Sequence, residues 1–178
     1  MAVETCLLEP CRGTLGTRFM ELYLLRHGTA ERFATTGDDA TRRLTEEGRT
    51  QVRRVLERAH AAGARASLIL TSPYRRALET AEIAAHELGY EGKLVRSAVL
   101  TPDASPAQVW EEIRVHHIES SIVLCGHEPL FSATVAHLLG SARAMVHYPT
   151  GVLMRVDVSA FGAAPAGVLQ WMLTPGTA

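Results

Sequence analysis

Polar residues of one kind close three apolar runs in this chain. Leu22-Tyr23-Leu24-Leu25 stops at Arg26-His27-Gly28. Leu68-Ile69-Leu70-Thr71 stops at Ser72-Pro73-Tyr74-Arg75-Arg76, and Ile122-Val123-Leu124-Cys125 stops at Gly126-His127-Glu128-Pro129. Arginines and histidines without a matching cluster of carboxylates make an anion site. Phosphate suits it, because its oxygens accept paired N–H bonds from guanidinium groups. A neutral imidazole is a nucleophile toward phosphorus. Neighbouring guanidiniums hold its pKa down, so it stays unprotonated near neutral pH. They also stabilise charge on the equatorial oxygens of a phosphoryl group in transfer. An arginine beside a histidine at a strand end is thus a workable nucleophile with its own charge clamp, and the chemistry calls for no metal or other cofactor. Gly28, lacking a Cβ, lets a ligand come close to the backbone.

These groups meet only if the runs are strands of one sheet. Residues 21–26 read as a strand and 29–44 as a polar loop. From Thr45 to about Ala61 the apolar residues Val52, Val55, Leu56 and Ala59 recur at helical spacing, and Gly63 ends the pattern. Residues 67–72 are a continuous apolar run, like a strand buried on both faces. Ser72-Pro73 has the form of an N-cap followed by proline at N1. That would put Arg76 at N4, near the positive end of a helix whose stripe is Tyr74, Ala77, Leu78, Ala81, Ala84 and Leu88. Residues 93–99 are a weaker strand. Ser105-Pro106-Ala107-Gln108 has the form of a capping box, opening a helix to about His117. Residues 120–125 are a fourth strand, Pro129 opens a helix that Gly140 ends, and 152–158 with 168–173 form a final hairpin. The order predicts an α/β fold: a three-layer α/β/α sandwich with a mostly parallel central sheet and a C-terminal hairpin. Ligands of such sheets bind beyond the carboxyl ends of the strands.

The 178 residues suit one domain of ordinary size, expected over 20–178, with residues 1–19 a flexible extension. A net charge of −1 gives no general basic face for nucleic acid. No apolar run approaches the ~20 residues of a membrane span, and the first 19 residues lack the order of a signal peptide. Cys6, Cys11 and Cys125 are odd in number and make no C-x-x-C pair, which fits a reducing cytoplasm. His60, His86, His116, His117, His137 and His147 have no metal-ligand spacing. His147-Tyr148 is a candidate for the site rim. Trp110, Trp171 and Cys125 read as core residues.

The segments LYLLRHGTAE, RRLTEEGRTQ, LTSPYRRALETAEI, VLCGHEPL and YPTGVLMRVDV resemble, in order and spacing, the histidine phosphatase (phosphoglycerate mutase-like) superfamily. The LTEEG, SPYRRA and GHEP variants are most similar to those of SixA-type phosphohistidine phosphatases. The resemblance covers roughly residues 20–174. It implies that His27 is the phosphorylated nucleophile, that Arg26 and Arg76 bind phosphate, and that His127 donates a hydrogen bond to the phosphoryl group. Arg76 rather than Arg75 fits the family's R-A-x-x-T pattern. Arg42 or Arg43, with Leu44-Thr45, matches a segment of structural or peripheral binding role.

One position departs from the pattern. Many relatives carry a glutamate just before the Leu-Thr-Pro segment, and here Val99 stands there. Asp103 and Glu128 are the candidates for a substitute proton donor. An alkoxide is a poor leaving group without an acid, whereas the imidazole of phosphohistidine departs more easily. The expectation is therefore a metal-independent phosphatase acting on phosphohistidine of a signalling or phosphotransfer protein. Its rivals are a phosphomonoesterase for small esters such as sugar phosphates and a non-catalytic phosphate-binding module.

Overall fold

The computed structural model describes residues 19–141 and 144–178. The expected extension, Phe19 apart, lies outside the described residues, as do Cys6 and Cys11. The elements in chain order are β1 (Met20–Arg26), α1 (Glu46–Ala61), β2 (Leu68–Thr71), α2 (Arg75–Glu87), β3 (Val95–Arg96), α3 (Pro106–Val115), β4 (Ser121–Gly126), α4 (Leu130–Leu138), β5 (Leu153–Val158) and β6 (Gly167–Leu173). They build one six-stranded sheet in the order β3-β2-β4-β1-β5-β6. The first four strands run parallel, β5 runs antiparallel to β1, and β6 returns beside β5 as a hairpin.

Successive side chains of a strand point to opposite faces, and the continuous apolar runs feed a core on each. Leu22 and Leu24 of β1, Leu68 and Leu70 of β2, and Ile122 and Leu124 of β4 pack with Val109, Trp110 and Ile113 of α3 and Leu130, Phe131 and Val135 of α4. Tyr23, Leu25, Ile69, Val123 and Cys125 pack with Val52, Val55 and Leu56 of α1 and Ala81 and Ala84 of α2. This is the three-layer arrangement the element order predicts. Trp110 and Cys125 are fully buried, while Trp171 covers the edge of the second core beside Tyr23.

Local chemistry sets the helix starts. The Thr45 hydroxyl caps α1 by accepting from the Gly48 amide, and Ser105 and Gln108 form the expected capping box of α3. The start of α2 differs from the sequence expectation. Tyr74, not Ser72, is its N-cap, so Arg76 is in the first turn rather than at N4. The Ser72 hydroxyl is committed elsewhere, to His127. The third strand is also shorter than expected. Only Val95 and Arg96 pair with β2, because the chain turns into a short 3₁₀ segment at Ala98–Leu100.

A buried carboxylate ties the site-bearing loops to this frame. Glu79, 1 % exposed, accepts from Arg49 of α1 at 2.6 Å, from Arg75 at 2.7 Å and from the Leu44 amide at 3.0 Å. Removing its charge takes the carboxylate from Arg75, leaves Arg49 with only Glu46 at 3.6 Å, and weakens the bond to the Leu44 amide. The Glu79→Gln variant should lose about 2–4 kcal/mol of stability. Urea unfolding of the purified variant would measure this, and an unchanged midpoint would deny Glu79 that role.

Candidate active site

Three strand ends stand side by side. Arg26 pairs with Gly126, and Thr71 pairs with Cys125, so the polar residues that follow each strand emerge at one level. The ladder continues through the His27 amide to the Gly126 carbonyl and the Ser72 amide to the Cys125 carbonyl. The helix after β1 packs on one face and the helix after β4 on the other. The adjacent strands β1 and β4 therefore open a crevice at their carboxyl ends, where ligands bind in open α/β sheets. His27 and His127 both lie there, with ring centroids 5.0 Å apart.

His27 is 8 % exposed, and its ring is oriented by a bond of 2.8 Å between Nδ1 and the carbonyl of Gly28. A carbonyl only accepts, so Nδ1 carries the hydrogen and Nε2 holds the lone pair. That lone pair accepts from Nε of Arg76 at 3.2 Å. Arg76 is 4 % exposed, and its guanidinium lies over the Tyr74 ring at 5.0 Å. Arg26 donates through NH1 to the carbonyl of Tyr148, whose own hydroxyl is anchored on the Leu24 carbonyl.

His127 is buried against the edge of Tyr74. Its Nε2 is 2.8 Å from the Ser72 hydroxyl, which accepts from the Tyr74 amide. No other acceptor for the Ser72 hydroxyl proton occurs among the described residues, and a proton given to Nε2 places the ring hydrogen of His127 on Nδ1. Nδ1 of His127 and Nε of Arg26 are both buried without a hydrogen-bond partner among the described residues. Two buried donors of this kind are costly unless an acceptor reaches them, and a phosphoryl oxygen is such an acceptor.

Burial is the main force on both imidazoles, with the surrounding guanidiniums adding to it. It lowers the pKa of His27 from 6.5 to about 4, where the Gly28 carbonyl opposes it and Arg76, Arg26 and Arg42 assist. It lowers that of His127 to about 2, with His27 and Arg76 assisting. Imidazole attacks phosphorus only when neutral, so with His27 as the nucleophile the acid limb of kcat/KM would lie near pH 4 rather than 6.5. The sign of the stability effect follows from the same shift. Between about pH 4 and 6.5 the unfolded chain binds at His27 a proton that the folded chain refuses, so the contribution of this group to stability should fall as pH is lowered through that window and be constant above it. A pH–rate profile and urea unfolding at several pH values check both statements. An acid limb at 6.5 would show that His27 titrates as an exposed imidazole.

The glycine after His27 has a packing reason. A Cβ on Gly28 would strike the Gly48 carbonyl and stand 2.9 Å from Val52 Cγ2, because α1 enters directly against the backbone there. Arg75 turns away to Glu79. Asp103 is on an exposed turn, and the Glu128 carboxylate accepts from the Ser132 amide at the start of α4. Val99 packs against the core beneath α3 and α4, and His147 is exposed. Two participants were not anticipated from sequence. Tyr74 forms a wall against both His127 and Arg76. Asp39, in a 3₁₀ turn at Asp39–Thr41, touches Arg76 directly. Its spacing to Arg42, three residues on, was the one available signal. Among the described residues no group of three or more metal-ligating side chains occurs, and no helix is long and apolar enough to cross a membrane.

Residues 22–97 match the histidine phosphatase superfamily (branch 1). An uncharacterized protein of Picosynechococcus sp. is 37 % identical over 111 residues, 62 % of this chain and 67 % of that protein. The protein histidine phosphatase SixA, in complex with tungstate, superposes with a TM-score of 0.80 at 23 % identity, covering 88 % of this chain and 98 % of SixA. A mycobacterial glucosyl-3-phosphoglycerate phosphatase gives 0.66 at 18 % identity, covering 85 % and 97 %. Both structural likenesses speak to the fold.

Proposed function

Because the chain belongs to the histidine phosphatase superfamily, we propose that it removes phosphate from phosphohistidine on a signalling or phosphotransfer protein. The Nε2 lone pair of His27 attacks phosphorus as the P–N bond to the substrate imidazole breaks. The leaving imidazole takes the bonding pair. It departs as the neutral ring if its other nitrogen is already protonated. Arg26 and Arg76 hold the equatorial oxygens, and Nδ1–H of His127 donates to one of them. The Gly28 carbonyl, bonded to Nδ1–H of His27, favours the positive charge that phosphorylation leaves on that ring. Water then attacks phosphorus, returning neutral His27, phosphate and a proton. Guanidiniums supply the charge neutralisation, so the scheme needs no metal.

One observation carries the choice of a P–N substrate. Among the described residues, the carboxylate in contact with the clamp is Asp39. Partial burial pushes its pKa up, but the Arg42 hydrogen bond and the Arg76 and Arg42 charges outweigh this and hold it below its ordinary value. It is ionised and has no proton to give. A leaving group that brings its own proton suits such a site. A groove of about 380 Å³ lined by Ala40, Arg43, Pro73, Arg75 and Arg96 adjoins Asp39 and Tyr74 through Ala40 and Pro73, and would take the chain of a protein-borne phosphate.

Cleavage of small phosphate esters is the second reading. It is favoured by the place of Glu128, directly after His127 and near enough to Arg26 to interact with it, where its carboxyl group in the protonated form would serve as the proton donor. The test follows phosphate release from a histidine-phosphorylated peptide, p-nitrophenyl phosphate and a sugar phosphate, each with a His27→Ala control. Release from the peptide should exceed ester cleavage at least tenfold. Fast ester cleavage, lost in Glu128→Gln, would select the second reading. No His27-dependent release from any substrate would leave a phosphate-binding module.

A further inference from the structure

Each nitrogen of the Arg76 guanidinium already has an acceptor from within the chain. Nε serves Nε2 of His27 at 3.2 Å, NH1 serves the main-chain carbonyl of Asp39 at 2.8 Å, and NH2 serves the Asp39 carboxylate at 3.0 Å. The other carboxylate oxygen of Asp39 accepts from Nε of Arg42 at 2.6 Å. Asp39 thus bridges two of the three arginines whose charge bears on His27. An oxygen-bearing anion linking two guanidiniums beside the nucleophile is what a phosphoryl group would be.

The segment that carries Asp39 is held at its stem, while the tip bonds within itself, the Gly37 amide to the Ala34 carbonyl and Thr36 to Thr41. Ala30 bridges Leu44, the Glu31 amide bonds the Arg43 carbonyl, and Leu44 is fixed on buried Glu79. The stretch from Arg32 to Asp39 is mostly exposed and turns at Gly37 with φ +78°. The Asp39 side chain is itself 60 % exposed while its partner Arg76 is 4 % exposed. The carboxylate can therefore swing outward without unpacking the core, whereas the arginine cannot.

We propose that Asp39 is an internal stand-in for phosphate: it holds Arg76 against the His27 lone pair, and a phosphoryl group must displace it to engage the clamp. This rests on the reading of Arg76 as a phosphate ligand. Displacement by a doubly charged tetrahedral oxyanion exchanges one pair of charge-assisted bonds for another, and also draws Arg76 off the nucleophile. A singly charged or neutral group gains less than it disrupts, so the exchange selects for phosphoryl dianions. The same competition acts on the product, since Asp39 returns to Arg76 as phosphate leaves. Asp39 is a positioning residue here; it acts through Arg76 and Arg42.

The test is equilibrium binding of tungstate and inorganic phosphate to the intact protein by calorimetry, for wild type, Asp39→Asn, Asp39→Glu and Glu57→Gln. Glu57 is exposed on α1 and controls for the loss of one negative charge. Asp39→Asn should bind both oxyanions about tenfold more tightly and be more strongly inhibited by phosphate. Asp39→Glu should return toward wild type, and Glu57→Gln should equal it. A role of Asp39 in merely bracing Arg76 would weaken oxyanion binding instead, and that result overturns the proposal. Equal affinities of wild type and Asp39→Asn overturn it too, while leaving the phosphate site intact. If no variant binds either oxyanion, the reading of the site itself fails along with it.

Discussion

The His27→Ala protein should lose turnover of its phosphorylated substrate by at least about 10⁴-fold, with its fold unchanged. The ring is the only imidazole at the site whose lone pair is set by a backbone bond, Nδ1 to the Gly28 carbonyl. His127 cannot take over, because its Nε2 is tied to Ser72. Whatever rate is left would come from water attacking a phosphoryl group still held by Arg26 and Arg76. Tungstate should accordingly bind His27→Ala within a few-fold of wild type, which separates a lost nucleophile from a lost site. Single-turnover phosphate release together with calorimetry would read both quantities. A variant that retained turnover above one per cent would assign the attacking atom elsewhere.

Arg76→Ala should be the second most damaging change, lowering kcat/KM by about 10²- to 10³-fold and weakening oxyanion binding in parallel. Arg76 donates to His27 through Nε and to Asp39 through its two other nitrogens, with the guanidinium over the Tyr74 ring. Lysine supplies the charge without the fork. Arg76→Lys should therefore recover part of the oxyanion affinity and little of kcat. The comparison of kcat, KM and tungstate affinity across the two variants checks this. Full recovery by lysine would reduce the role of Arg76 to a point charge.

What the sequence made legible, and what it did not, has a physical pattern. The parallel strands could be read because they are buried on both faces, which forces the continuous apolar runs at 22–25, 68–71 and 122–125. Their polar ends could be read together because a parallel sheet aligns its carboxyl ends, and the pairings of Arg26 with Gly126 and Thr71 with Cys125 express that alignment. Ser72 is a position that local rules cannot place. Ser-Pro fits a helix start, but the hydroxyl found a stronger claim 55 residues away at His127. Gly28 reads in the sequence as room for a ligand, whereas its contact with Gly48 depends on how α1 approaches β1. Asp39 belongs to an irregular polar loop with no periodicity to place it, so only the folded chain brings it to Arg76. The two-residue length of β3 reflects the turn at Ser97, which an apolar pattern over 93–99 conceals.

The phosphoryl group is expected to pass through His27. The most direct measurement is to mix the enzyme with a histidine-phosphorylated peptide carrying labelled phosphate, quench in alkali within the first turnover, and map the label. The expected product is a phosphoramidate on His27, stable to alkali, labile to acid and missing from His27→Ala. Label on any other residue, or rapid hydrolysis that leaves no trapped phospho-enzyme even when the second step is slowed, would contradict it.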